Sequence, residues 1–150
     1  MKHIIHSIVT LALLGFTVLQ FSFCGKDDPP PAPEPTEAER VTALLTAGNW
    51  PLTSVTVEGE NAAEIFKDFS ITFTNTGYTT TGTTPVWKRS GTWAFTDATA
   101  TKFRRDDNVE VTIESINETS LKLVLFWEQE LTEPGRTNAL RGRHEFTLTK

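Results

Sequence analysis

From Asn49 to the end of the chain, apolar and polar residues alternate with a period of two, and no other feature restricts the fold as tightly. In "LKLVLFWE" (121–128), Leu121, Leu123, Leu125 and Trp127 share one side, with Lys122 on the other. A period of two belongs to a β-strand with one buried face, whereas a helix repeats every 3.6 residues. The same alternation marks candidate strands at 49–58, 69–74, 78–83, 91–96, 101–105, 109–116, 120–129 and 140–149. Turn-forming clusters separate them: "NTG" at 75–77, "TDATA" at 96–100, "RDDN" at 105–108, "NET" at 117–119 and "EPGRTN" at 133–138. Eight short strands with close connections predict an all-β, eight-stranded antiparallel up-and-down barrel, since closure removes exposed strand edges.

The inward face follows from the same alternation: Phe69, Ile71 and Phe73; Trp93 and Phe95; Val109, Val111 and Ile113; Leu121 to Trp127; His144, Phe146 and Leu148. Val124 and Phe126 break the rule by pointing outward. Ahead of the strands, Thr36 and Glu39 form a capping box, and Val41, Leu44 and Leu45 follow at helical spacing. This predicts one short helix over 37–47, covering an end of the barrel or the outward pair Val124 and Phe126. A second helix is expected over 62–69, "AAEIFKDF".

The chain has 150 residues, room for one domain once the non-folding segments are set aside. Residues 1–23 combine a basic start, Lys2, with an apolar run from Ile8 to Phe23, the layout of a secretory signal. The run ends at Cys24, the chain's only cysteine. An exported protein normally uses paired cysteines for disulfides, so a single one needs its own explanation. Here the sequence resembles a bacterial lipoprotein precursor, with Ser22 and Gly25 flanking the cysteine as that pattern expects, although Phe23 stands where a small residue is usual. The resemblance implies lipidation of Cys24 and anchoring to a membrane through acyl chains. Retention of residues 4–23 as a membrane span, or full secretion with a free thiol, are the other two fates.

After Cys24, "GKDD" (25–28) resembles the lysine-plus-acid signal of lipoproteins displayed on the outer membrane surface. An ordinary soluble tether facing the periplasm is the other reading. Five prolines follow in seven positions (29–35), favouring an extended spacer. The domain plan is therefore a signal at 1–23, a lipidated tether at 24–36 and a barrel domain at 37–150.

At "GNW" (48–50) a second resemblance appears. A Gly-x-Trp opening the first strand after a short helix, then an eight-strand meander, resembles the lipocalin-like domains of secreted bacterial lipoproteins. The phrases "NWPLTSVTVEGE", "ITFTNTGYTTT", "VWKRSGTWAFTD", "RRDDNVEVTIE" and "LKLVLFWE" carry it. The resemblance implies that Trp50 plugs one barrel end beneath a late-strand arginine, Arg141 or Arg143. It also implies a small hydrophobic or amphipathic ligand. Tyr78 and Trp87 flank "TGTTPVW" (81–87) near a barrel mouth, and with Arg105, Trp93 and Trp127 they make up the candidate ligand-contacting set.

Eight strands leave an interior either filled by side chains or wide enough for one small ligand. The inward aromatics Trp50, Phe69, Phe73, Trp93, Phe95, Phe103, Trp127 and Phe146 each bury about 150–250 Å² and read first as core. The runner-up is accordingly a structural or protein-interaction module of the cell envelope with a solid core.

No catalytic constellation is legible. Outside the signal the single histidine is His144, on an inward face, and no Gly-x-Ser-x-Gly elbow or phosphate-cradling loop occurs. No convergent ligand set suggests zinc, and no cofactor is expected. Asp106 and Asp107 read as turn formers. Without the signal, 13 basic and 19 acidic residues give a net charge of −6, which disfavours nucleic acid as a partner.

Overall fold

A computed structural model describes residues 32–83, 86–128 and 140–150. Cys24, the "GKDD" signal and the "EPGRTN" turn lie outside the described residues. Among those described, no helix is long and apolar enough to cross a membrane.

Helix α1 spans Glu37–Leu45 and starts at the capping box. Thr36 Oγ1 accepts from the Glu39 N–H at 3.2 Å, and the Glu39 carboxylate accepts from the Thr36 N–H at 2.7 Å. Two donors that no helical carbonyl can reach are satisfied in this way. Val41 and Leu45 fall on one side of the helix and are buried in the barrel core.

The strands that follow are β1 (Asn49–Val57), β2 (Glu60–Asn61), β3 (Ser70–Phe73), β4 (Gly77–Thr81), β5 (Ser90–Phe95), β6 (Lys102–Arg105), β7 (Glu110–Ile116), β8 (Ser120–Trp127) and β9 (Gly142–Thr149). Strands β1 and β3 to β9 pair in succession, every pairing is antiparallel, and β9 returns to β1. The result is a closed eight-stranded barrel. Strand β1 serves both neighbours: its first half pairs with β3 and its second with β9, across a register shift between Leu52 and Ser54. The two-residue β2 is a flap that folds back on β1 through a turn at Glu58 and Gly59, both at positive φ.

Strand positions follow the alternation closely, whereas the second helix does not form as expected. Residues Ala63–Phe66 make one 3₁₀ turn, η1, and Asp68 adopts φ +57° as the chain reverses into β3. A single turn suffices to insert Phe66, which is fully buried.

The inward residues meet as a continuous series of rings. Phe66 packs on Phe146 (5.1 Å between centroids), Phe146 on Trp87 (6.0 Å), Trp87 on Tyr78 (5.5 Å) and Tyr78 on Phe73 (6.5 Å). Phe73 continues to Phe103 (5.9 Å), and Phe103 to Trp93 (5.4 Å). Most of these pairs are edge-on, the arrangement favoured by the ring quadrupole.

The register distinguishes two barrel ends. The start of β1, the end of β9 and the β7–β8 turn lie at one, here the helix end. The end of β1, the end of β8 and the start of β9 lie at the other, the far end. Phe126 sits on β8 toward the far end and is 54% exposed, so α1 does not cover it. The expectation that the helix docks on Val124 and Phe126 is corrected here: its apolar stripe turns into the core instead.

Candidate functional site

The helix end is closed. Trp50 is fully buried, and its indole Nε1 donates to the Leu45 carbonyl at 2.9 Å, filling one of the unsatisfied acceptors at the end of α1. Lys150 Nζ lies 3.8 Å from the centroid of the Trp50 ring. The cation over the opening tryptophan is therefore Lys150, just past β9. Arg143 is exposed near the far end, ion-paired with Glu145, and Arg141 precedes β9 at that same end. Strand direction alone separates both arginines from Trp50, because β9 brings its last residues, not its first, beside the start of β1.

Of the residues singled out as ligand contacts, three come together. Arg105 pairs across the sheet with Trp93, so its side chain faces the interior, where it is 3% exposed. Its guanidinium lies 4.5 Å from the Trp87 ring and 5.9 Å from that of Tyr78. Nη1 donates to the Val86 carbonyl at 2.9 Å, while Nε and Nη2 form a fork onto the carboxylate of Asp107. A buried cation needs this degree of pairing to offset its desolvation. Tyr78 packs beside it, and burial pushes the phenol pKa up, opposed by the Arg105 charge. The cluster of Tyr78, Trp87 and Arg105 is thus buried among core rings, and Arg105 clamps the segment carrying Val86 against the barrel.

Trp93 is turned elsewhere. Its Nε1 donates to the carbonyls of Thr74 and Gly77, at 3.0 and 3.1 Å, which ties β5 to the β3–β4 turn. Trp127 stands apart on β8 at the far end, opposite Gly142.

Beside Trp127 the sequence reading left a functional possibility unread in His144. This residue is fully buried, opposite Leu125 on β8 and Val57 on β1, with its ring stacked on Phe146 and edge-on to Phe66. Nδ1 lies 3.0 Å from the Gly142 carbonyl. A carbonyl can only accept, so the proton sits on Nδ1. Burial lowers the pKa of His144, opposed by the Gly142 hydrogen bond and the Glu58 charge. The ring is neutral, and Nε2 is a bare acceptor. Neither His144 Nε2 nor the Trp127 N–H has a hydrogen-bond partner among the described residues.

Glu58 completes this end. It holds φ +51° at the tip of the β1–β2 turn, and its carboxylate accepts from the Arg143 N–H. Gly142, at φ +125°, has no room for a side chain, since a Cβ there would fall 2.7 Å from Glu58 Cγ. The missing side chain lets the carboxylate lie against the strand beside Trp127.

On the outer wall, Val109, Val124 and Phe126 line a groove of about 600 Å³ rimmed by Asp107, Glu110, Glu128 and Arg143. Among the described residues, no group of three or more His, Cys, Asp or Glu side chains is placed to hold a metal ion. No family model matches the chain, and neither does any curated protein or solved structure.

Proposed function

We propose that this chain is a non-catalytic, lipocalin-like barrel of the bacterial cell envelope, anchored by lipid on Cys24 and displayed at the outer membrane, which binds a small amphipathic molecule at its far end. The observation that carries the binding reading is the asymmetry of the two ends. At the helix end the buried indole of Trp50 is paired with the Leu45 carbonyl, while within the barrel the Tyr78 hydroxyl is buried without a partner among the described residues. At the far end the inward residues His144 and Trp127 keep buried polar atoms unpaired. A core selected for packing alone satisfies its polar groups or replaces them, because each orphan costs about 1–3 kcal/mol. The ring series through Phe146, Trp87 and Phe73 occupies the middle of the barrel, which limits the guest in size.

Titration with a panel of amphipathic molecules and apolar dyes, read by tryptophan fluorescence, tests the proposal. Saturable changes with at least one class support it, and silence across the panel contradicts it.

Phe126 favours a second reading, a protein-interaction module with a solid core. Its exposed ring stands beside a groove rimmed by charged side chains, a combination that a protein partner could engage. Phe126→Ser leaves stability within about 0.5 kcal/mol, as expected for an exposed site. On the binding proposal it also leaves ligand affinity unchanged, whereas on the second reading it abolishes capture of a specific envelope protein.

A further inference from the structure

We propose that the far end recognises a neutral hydroxyl group, so that the guest is an amphipathic alcohol and not a fatty acid anion. This rests on the binding function proposed above and specifies its ligand class. Three features of the site lead there.

The first is the pair of unmatched polar atoms. The Trp127 indole can only donate, and His144 Nε2, with the ring proton held at Nδ1 by the Gly142 carbonyl, can only accept. The two residues sit two positions apart in register on paired strands, since Trp127 faces Gly142 and Leu125 faces His144. Both side chains project to the inward face and are at least nine-tenths buried. A hydroxyl both accepts and donates, so one such group offers each of the two atoms the kind of partner it lacks. An ether or ester oxygen answers only Trp127, and an ammonium answers only His144.

The second feature is the surroundings. Val57, Phe66, Leu125 and Phe146 are buried around His144. The hydroxyl is presented within apolar walls, which suit a hydrocarbon chain and penalise any full charge.

The third feature is Glu58. Its carboxylate lies over Gly142 at this end, held by the Arg143 N–H. A second carboxylate entering beside it meets like-charge repulsion, softened by solvent because Glu58 is exposed. It adds to the main ground for discrimination between an alcohol and an acid of equal length, which is that an ionised carboxylate has no proton to donate to His144 Nε2.

The test uses the full chain labelled with ¹⁵N, observed by NMR at the His144 ring nitrogens and the Trp127 indole N–H at neutral pH. The probes are 1-decanol, decyl methyl ether and decanoate. Decanol is expected to move both resonances with saturation at one equivalent. The ether, leaving His144 unpaired, binds about tenfold more weakly, and decanoate more weakly still. Trp127→Phe weakens decanol about tenfold and removes its preference over decanoate only in part, since Glu58 is untouched.

If the ether or decanoate binds as tightly as decanol, or decanol binds without moving His144 and Trp127, the hydroxyl assignment is overturned while binding itself stands. A bound water that persists on both atoms in the presence of decanol overturns it as well. If none of the three probes nor any panel molecule binds, the binding function falls with it.

Discussion

The guanidinium of Arg105 lies 4.5 Å from the ring of Trp87, sealed inside the barrel by the carboxylate of Asp107 and the carbonyl of Val86. One strand-end cation therefore fixes two segments distant in sequence, the stretch entering β5 and the turn leaving β6.

Replacing Arg105 tests that role. Arg105→Ala removes the stem that packs on Trp87 and strands the Asp107 carboxylate, and should destabilise the fold by about 3–5 kcal/mol. Arg105→Met keeps the stem and should cost less. Disruption of the solvent-exposed Lys102–Glu110 pair should move stability least of the three. Urea unfolding midpoints rank the three.

The helix end makes a separate prediction. Trp50→Phe keeps most of the buried ring but leaves the Leu45 carbonyl without its donor, a loss of about 1–3 kcal/mol. Lys150→Ala removes only an exposed cation over the ring, about 0.5–1 kcal/mol. Thermal unfolding should therefore shift several-fold more for the first variant. Equal shifts would show that the cation, and not the indole hydrogen bond, holds this end.

His144 sets a pH dependence of known sign. Burial lowers its folded-state pKa below the ordinary value of 6.5. As pH falls below 6.5 the unfolded chain takes up a proton that the folded chain resists, so stability is complete above 6.5 and declines on acidification. The depressed carboxylates Glu39, Asp97, Asp106 and Glu110 contribute in the same direction, but only below their ordinary values of about 4. Denaturant titrations between pH 7 and 5 isolate the histidine. His144→Phe should flatten the curve there, and an unchanged slope would show that another group is responsible.

Cys24 carries the anchoring proposal. Mass spectrometry of protein purified from its host membrane is expected to find a mature N-terminus at Cys24 bearing acyl chains. Cys24→Ala should release the protein from the membrane fraction, because the acyl methylenes supply the anchoring at about 0.8 kcal/mol each. An unmodified Met1 or a free thiol in the mature protein contradicts the proposal.

The barrel was legible because its cause is periodic: a face that repeats every second residue, as in Leu121, Leu123 and Leu125, can only be a half-buried strand. The capping box at Thr36 was legible for a similar reason, since both partners lie within one helical turn. Features that depend on distant neighbours were not. Arg105 shares its face with Phe103 by the same alternation, yet what makes its burial tolerable, Trp87 and the Val86 carbonyl, lies 18 and 19 residues away. Lys150 belongs to no motif and reaches Trp50 only because β9 closes onto β1. The flap β2 is two polar residues with no period to detect. The His144 site was hidden most completely: the tautomer follows from a carbonyl two residues back on its own strand, and the complementary donor comes from β8.

Native mass spectrometry of the protein purified from its own host, under conditions that preserve non-covalent contacts, tests most directly whether the far end holds a guest. The expected spectrum shows one small neutral molecule per chain, released on unfolding and retained less by Trp127→Phe. A spectrum showing the acylated polypeptide alone, with His144 Nε2 and the Trp127 N–H both occupied by ordered water in a high-resolution crystal structure, would contradict the account.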